Sequence, residues 1–432
     1  VTRDRSGDER LPDEWRIDRL VPGGDGMARL PDGRVAFASG ALPEDVIRPT
    51  KVESHKRYVR ASAFDVVRPS PRRVESACPI ADRCGGCDFM RLERSHELEA
   101  KRDMLRQALE RTGGFRELPD PIPVLTAGPE LGYRGRVRLH VGPGGEIGFF
   151  ARKSHEVVDV ERCAVCRPDL DHALSEIRRL SRRVLQAVLE IEVRVAEGGP
   201  PVSVRFVPKE GASLEEATST ARRTLPHDWS VTWGSDPSGA EQCYVLPGGV
   251  RLLAAPSAFT QVNAEVNRLL VDSVVRGARV RHVSRFCDAY AGAGNFALAL
   301  LAAGLTGTAI ERDARAVSSA RRSAELAGLP ADGFVTADAP RALAALEARG
   351  ERFDLVLLDP PRSGAKDALS AVVALAPRHV AICSCDPVTL ARDLATLAAR
   401  GYRLDEVTGF DMFPRTHHVE ALAWLSRSSG PA

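Results

Sequence analysis

Hydrophobic and polar positions follow more than one rhythm along this chain of 432 residues. From Trp15 to about Val67 apolar residues alternate with polar ones, as in IDRLVPGGDGMARLPDGRVAFASGALPEDVIRPTKVE. Gly23-Gly24, Asp25-Gly26 and Asp32-Gly33 punctuate that stretch, which predicts short strands joined by hairpin turns. A small barrel of the kind that binds oligonucleotides fits this pattern. The period then becomes helical. In RLERSHELEAKRDMLRQALERTGG, Leu92, Leu98, Leu105 and Leu109 predict a helix over 91–111, and Gly113-Gly114 stop it. Alternation returns in YRGRVRLHV, where Arg134, Arg136, Arg138 and His140 share one strand face and Val137, Leu139 and Val141 the other.

After about Ser257 strands and helices take turns. VSRFCDAYA, GTAIE, GFVTAD, FDLVLLD, HVAICSC and YRLDEVTGF read as strands with helices between them, and VEALAWL as a last strand. Such alternation predicts an α/β fold with a largely parallel, doubly wound sheet, whose ligands bind at the carboxyl ends of the strands. No internal repeat or low-complexity tract interrupts it.

Composition changes this picture only in part. The length implies two or three domains, and 44% hydrophobic residues suffice for buried cores. No apolar run reaches the roughly 18 residues of a membrane span. VTRDRSGDERLPDEW carries no apolar core of a secretion signal, so a cytoplasmic protein is expected, with its first ten residues disordered. Nine cysteines, an odd number, argue against a disulfide scaffold and for thiols, metal ligands or catalytic groups. The net charge of +2 is uninformative, but Arg48 to Arg73 holds eight basic residues against two acids. That run is either a solvated face or a surface that follows phosphates.

The candidate chemistry lies in the doubly wound region. Asp288 to Ala297, DAYAGAGNFA, places Gly292 and Gly294 in a turn where backbone can approach a ligand. Glu311 lies nineteen residues past Gly292, where a carboxylate can bind a ribose diol. NAD and S-adenosylmethionine both carry that ribose. DPPRSG at the end of the fourth strand favours the methyl donor, since Asp359-Pro360-Pro361 resembles the active-site corner of class I methyltransferases. Amino-group methyltransferases of that class place an aromatic residue next, whereas this chain has Arg362. In HVAICSC, Cys383 reads as core, while Cys385 falls at the strand's end, facing the same cleft. CPIADRCGGC supplies Cys78, Cys84 and Cys87, and ERCAVC adds Cys163 and Cys166. Spacing alone allows a zinc site from Cys84, Cys87, Cys163 and Cys166, or another four-thiolate metal centre.

Together these motifs resemble the RNA 5-methyluridine (uracil-C5) methyltransferase family. SCDP with LARDL is similar to the family's S-C-N-P motif, and GFDMFPRTHHVEALAWL to its D-M-F-P-x-T-x-H-V-E ending. AFTQVN, the Asp288 loop, DPPR and the upstream cysteines extend the likeness over nearly the whole chain. The resemblance implies Cys385 as the thiolate that adds to uracil carbon 6, and Glu420 as the base that removes the carbon-5 proton. His417 and His418 are the rival bases. It further implies that Gln261, Tyr290, Asn295, Glu311, Asp338 and Asp359 bind S-adenosylmethionine, with Glu311 on the ribose and Asp338 at the end of the third strand. Cys78, Cys84, Cys87 and Cys163 would hold a 4Fe-4S cluster, zinc being the alternative. The family's asparagine after the nucleophile is Asp386 here, a charge expected to raise the Cys385 pKa.

The expected organisation is a TRAM-like barrel over 10–70, a central cysteine-bearing domain over 71–257 and a class I methyltransferase domain over 258–432. The 91–111 helix is expected to pack on the last of these. The expected substrate is RNA, 23S ribosomal RNA ahead of tRNA, with no DNA or membrane partner and a monomeric state. The competing classes are a catalytically silent iron-sulfur RNA-binding protein and an NAD oxidoreductase.

Overall fold

A computed structural model describes residues 11–212, 215–234, 236, 238–256 and 258–428. The ten N-terminal residues and Ser257, to which expectations above were attached, lie outside the described residues. The chain divides into two compact units. One comprises residues up to Ala77, Cys87–Met104 and Arg415–His417; the other comprises Cys78–Gly86, Leu105–Pro414 and everything from His418.

The first unit contains a six-stranded sheet with the order Trp15–Arg16, Val46–Ser54, Tyr58–Arg68, Val35–Ser39, Asp25–Arg29, Arg19–Leu20. Alternate residues Ala28, Ala36, Ala38, Ile47, Val59 and Ala61 point into its core with Trp15. Gly23-Gly24 and Gly33 adopt left-handed turns, as their spacing predicts. Asp25-Gly26 does not turn. It opens a strand, where a side chain on Gly26 would lie 2.6 Å from the Ala41 carbonyl, so glycine serves close backbone approach there.

The basic run divides in two. Arg48, Arg60, Arg72 and Arg73 are committed to Glu14, Asp25, Glu44 and Asp45. Lys51, Lys56, Arg57 and Arg68 are exposed.

The helix runs from Arg94 to Arg111. Its first half holds Glu97 and Lys101, both fully buried and joined at 3.0 Å, where an apolar stripe was expected. Glu97 also takes Arg94 at 2.9 Å and the backbone N–H of Arg415 at 2.7 Å. A buried carboxylate needs such partners, since an uncompensated charge in the interior is strongly destabilising. Its second half, from Leu105, belongs to the second unit; Leu105, Ala108 and Leu109 join the core containing Cys287, Ala289 and Ile382.

The second unit contains two large sheets. The central one has the order Val157–Asp159, Ile147–Phe150, Arg136–Val141, Val188–Val195, Val202–Pro208, Ser230–Trp233. Val137, Leu139 and Val141 are buried against the helix Pro168–Ile177, leaving the basic positions on the opposite face.

The other sheet has eight strands: β1 (Val124–Leu125), β2 (Arg285–Ala289), β3 (Thr306–Glu311), β4 (Phe334–Thr336), β5 (Leu355–Leu358), β6 (His379–Ser384), β7 (Tyr402–Phe410) and β8 (Glu420–Arg427). Their order is β4-β3-β2-β5-β6-β8-β7-β1. Strands β2 to β6 are parallel, and β8 runs antiparallel between β6 and β7. The fully buried β5, LVLL, is the continuous apolar run expected of a parallel strand covered on both faces. From β2 the chain winds one way to β3 and β4, then crosses to β5 on the other side. That reversal opens a crevice at the strands' carboxyl ends.

Six helices cover this sheet: α1 (Ala264–Val280), α2 (Ala297–Ala302), α3 (Ala314–Leu326), α4 (Ala339–Ala348), α5 (Lys366–Leu375) and α6 (Pro387–Ala398). Asn263, Asp313, Asp338 and Asp386 cap four of them through side-chain oxygens. Asp338 is thus not the end of the third strand, as the sequence suggested. That strand stops at Thr336, and Asp338 caps α4. The hairpin Gln242–Val245 with Arg251–Ala254 packs Leu246, Val250, Leu252 and Ala254 into the core beneath α1 and α3, so core residues of this part begin before 258.

Candidate active site

The carboxyl ends of β2, β3, β5 and β6 open into a cavity of about 710 Å³, within the size range of small-molecule sites. Gln261, Tyr290, Asn295, Glu311, Asp338, Asp359, Cys385 and Glu420 all line it.

The loop after β2 is held in an unusual conformation. Tyr290, Gly292 and Gly294 all have positive φ, at 67°, 56° and 92°. For a bulky residue such as Tyr290 that is strained, and strain of this kind concentrates at functional sites. Glu311 fixes the loop: one carboxylate oxygen accepts the Gly292 N–H at 3.0 Å, the other the Asp313 N–H at 2.9 Å. Asn295 and Asn267 exchange reciprocal amide hydrogen bonds at 2.8 and 3.0 Å, tying the loop to α1.

The reactive groups stand across one strand pair. In the β6–β8 register Ser384 faces Ala421, so the next positions outward are Cys385 and Glu420. Cys385 is partly exposed to the cavity, whereas Cys383, two residues earlier, is fully buried in the core. Burial pushes the Cys385 thiol up to about 11, and Glu420 adds to this. Arg362 opposes both, through its charge and a hydrogen bond to the thiol. Asp386 is not among the main causes of this rise. Its carboxylate caps the following helix, accepting the Val388 and Thr389 N–H groups at 2.9 and 2.8 Å.

Glu420 is buried, and desolvation followed by repulsion from Asp359 holds its carboxyl well above the usual range. Asp359 itself rises to about 7 through burial. Asp288, beneath the loop, is also raised by burial and by Asp359, although it accepts the Ala297 N–H at 3.1 Å. Asp359 and Glu420 thus place desolvated carboxyl groups on the cavity wall, and a bound cation would favour their ionised form. Of the rival bases, His417 bonds Asp88 at 2.5 Å within the first unit, and His418 packs edge-on to Phe413.

Sequence reasoning missed two features of this site. Arg362 was noted only as a departure from the amino-group enzymes, yet it is the counter-charge of Cys385. The central sheet also supplies a whole wall, through Arg134, Gly135, Arg136 and Val195–Glu197. The YRGRVR stripe and the AFTQVN loop were both visible, but not that they meet.

Cys78, Cys84, Cys163 and Cys166 lie elsewhere in the second unit. Cys78, Cys84 and Cys163 are close enough for their thiolates to repel one another. Gly85 is required beside them, since a Cβ there would approach the Phe150 carbonyl oxygen at 2.9 Å. Cys166 shares a hydrogen bond with Cys163. Cys87 is grouped with the first unit. Among the described residues no three histidine, cysteine or acidic side chains form a finished metal site. The thiol donors that are present suit a thiophilic metal.

A doubly wound sheet, a glycine loop answered by Glu311, and a DPP corner on β5 define a class I methyltransferase domain. Comparison with known proteins makes this specific. Residues 251–428 match the family described as tRNA (Uracil-5-)-methyltransferase. The chain is 35% identical to the 23S rRNA (uracil(1939)-C(5))-methyltransferase RlmD of Alkalilimnicola ehrlichii, over 97% of this chain and 98% of that one. An uncharacterized RNA methyltransferase of Gloeobacter violaceus is 32% identical over 95% of this chain and 96% of its own. Among solved structures, the Pyrococcus abyssi tRNA (uracil-54, C5)-methyltransferase with S-adenosyl-L-homocysteine superposes with a TM-score of 0.74, at 26% identity, covering 95% of this chain and all of that one. The chain belongs to the S-adenosylmethionine-dependent RNA uracil-C5 methyltransferase family, and the NAD oxidoreductase reading is set aside.

The Cys385 environment predicts its reactivity. A thiol raised to about 11 is largely protonated at neutral pH, so alkylation of Cys385 by iodoacetamide should rise about tenfold per pH unit up to that value. Arg362→Met removes the stabilising cation and should slow alkylation at pH 8, whereas Glu420→Gln should speed it. Peptide mass spectrometry measures both, and an alkylation rate in Arg362→Met equal to wild type would contradict the assignment.

Proposed function

We propose that this chain forms 5-methyluridine in large-subunit ribosomal RNA, and that Cys385 and Glu420 carry the reaction. The observation behind this is the placement of a thiol and a desolvated carboxyl on adjacent strands of the same cavity as the glycine loop. Carbon 5 of uracil is a poor nucleophile. Addition of the Cys385 thiolate to carbon 6 makes the base an enolate, nucleophilic at carbon 5, and so divides one hard step into two. Arg362 stabilises the attacking thiolate. Bound S-adenosylmethionine supplies the methyl group. Gln261, Tyr290, Asn295, Glu311, Asp338 and Asp359 would hold it, with Glu311 available for the ribose and the cavity carboxyls for a positive charge. Glu420 then takes the proton from carbon 5, and the Cys385–carbon 6 bond breaks as the double bond re-forms. Burial keeps Glu420 basic enough to accept that proton. The target uridine has to leave any stack to reach the cavity.

The ribosomal target rests on the full-length likeness to the 23S enzyme of A. ehrlichii; tRNA is the second reading, supported by the superposition on the P. abyssi enzyme. The sheet of the first unit is read as a TRAM-like RNA-binding barrel, with Lys51, Lys56, Arg57 and Arg68 as its exposed cations. Cys78, Cys84, Cys87 and Cys163 are read as ligands of a 4Fe-4S cluster that anchors the central region and takes no part in methyl transfer. The protein is read as monomeric and cytoplasmic; no described helix is long and apolar enough to cross a membrane.

Transfer of labelled methyl to unmodified 23S rRNA and to tRNA distinguishes the two targets. Cys385→Ala should lower transfer by roughly 10⁴-fold or more. Glu420→Gln should accumulate protein covalently joined to RNA, because addition proceeds and elimination does not. Normal turnover by Glu420→Gln would exclude it as the base. For the cluster, anaerobically purified protein should be brown and contain iron and acid-labile sulfide, both lost in Cys84→Ser. Colourless protein containing zinc would replace that reading.

A further inference from the structure

The wall that the central sheet lends to the cavity contains a cation that, among the described residues, makes no ion pair of its own. Three segments meet there. The Gly135 N–H donates to the Val262 carbonyl at 2.8 Å, and the Val195 N–H donates to the Gly135 carbonyl at 2.9 Å. Behind them Arg194 is only 3% exposed. Its guanidinium donates to Glu192 at 2.6 Å and to the Ala258 carbonyl, and Glu192 takes Arg205 with its other oxygen at 2.6 Å. The Ala258–Asn263 loop is thereby fixed to the sheet.

The neighbouring cations are occupied. Arg134 donates to the Arg136 carbonyl at 2.9 Å, Arg167 pairs with Asp169 at 2.7 Å, and Arg362 serves Cys385. Arg136 differs: among the described residues its guanidinium makes no ion pair. It lies over the Phe259 ring, 4.6 Å from the centroid. Phe259 is 59% exposed, a large aromatic side chain left at the solvent edge of the cavity. Burial first, then the charge of Arg194, push Arg136 down to about 10; Glu192, already engaged by Arg194 and Arg205, opposes this, and Arg134 adds to it. It remains a cation at neutral pH, but one whose surroundings oppose its charge until an anion arrives.

We infer that Arg136 receives a backbone phosphate of the RNA strand beside the flipped uridine, with the Phe259 ring holding the guanidinium plane across the cavity mouth. A planar guanidinium takes a phosphate in bidentate fashion, and stacking on a ring fixes the direction of its donors. The exposed edge suits a polymer substrate, whereas the groups assigned to the methyl donor are on the strand ends and the glycine loop, with Gln261 beyond Phe259. This inference rests on the RNA methyltransferase reading above and adds a contact to it.

The test compares wild type with Arg136→Met, Arg136→Lys and Phe259→Leu. Each is titrated with unmodified 23S rRNA and with tRNA at several salt concentrations, and with S-adenosylmethionine by calorimetry. Phosphate contacts are independent of sequence, so either RNA reports. Arg136→Met should weaken RNA binding roughly tenfold and reduce the log–log salt slope by about 0.7, the value of one phosphate on a single strand. Its affinity for S-adenosylmethionine should not change, which also shows that the fold is intact. Arg136→Lys should keep the salt slope, and Phe259→Leu should keep the slope while lowering kcat/KM for RNA. Arg136→Gln takes the place of the methionine variant if that one does not fold. RNA binding with an unaltered slope, or loss of S-adenosylmethionine binding in its place, overturns the proposal. Wild type that methylates RNA while Arg136→Met keeps its slope sinks this inference alone; wild type that binds neither RNA sinks the functional reading as well.

Discussion

The antiparallel pairing of β8 beside β6 is the constraint on which the site depends. It inserts the last strand of the described chain between two others, so that residues 35 positions apart in sequence, Cys385 and Glu420, become adjacent at one end of the strand pair. A strand register has a period of two, and a slip by one residue would turn either group into the core. The buried Ala421, Leu422, Ala423 and Leu425 on β8 resist such a slip, because Leu422 belongs to one apolar core and Ala421, Ala423 and Leu425 to another. Packing in the core of the sheet thus fixes chemistry at the end of the strand pair.

Electrostatics sets the state in which that chemistry waits. Asp288, Asp359 and Glu420 are all removed from water and all raised. Arg362 acts on both Cys385 and Glu420, lowering each. The buried carboxyls favour a positive ligand on one side of the cavity. Arg136 and its neighbours favour a negative one on the other. A sulfonium donor and a polyanionic acceptor have those signs.

Much of this was legible from local signals. The apolar run LVLL, the glycines of DAYAGAGNFA and the Asp–Pro pair after Cys385 each carry information within a few residues, and the doubly wound sheet followed from them. What escaped was long-range or cooperative. β1 is two residues long and exists only because β7 offers it an edge. Glu97 and Lys101 are polar in the sequence and fully buried in the fold, since each supplies the other's counter-charge. Asp25-Gly26 has turn chemistry, but the close approach of the Ala41 carbonyl uses the same missing Cβ for a strand. The meeting of Arg136 with Phe259 joins residues from two different sheets' neighbourhoods, and no periodicity reports that.

Covalent catalysis by Cys385 on a uracil ring can be trapped with 5-fluorouridine-substituted 23S rRNA. Fluorine cannot leave carbon 5 as a proton does, so the protein mixed with S-adenosylmethionine and this RNA should yield an adduct that survives a denaturing gel. Mass mapping should place the RNA fragment on Cys385, and the same fragment would identify the methylated uridine. Absence of any adduct with both 23S rRNA and tRNA, under conditions where S-adenosylmethionine is bound, or an adduct on another residue, would contradict the account.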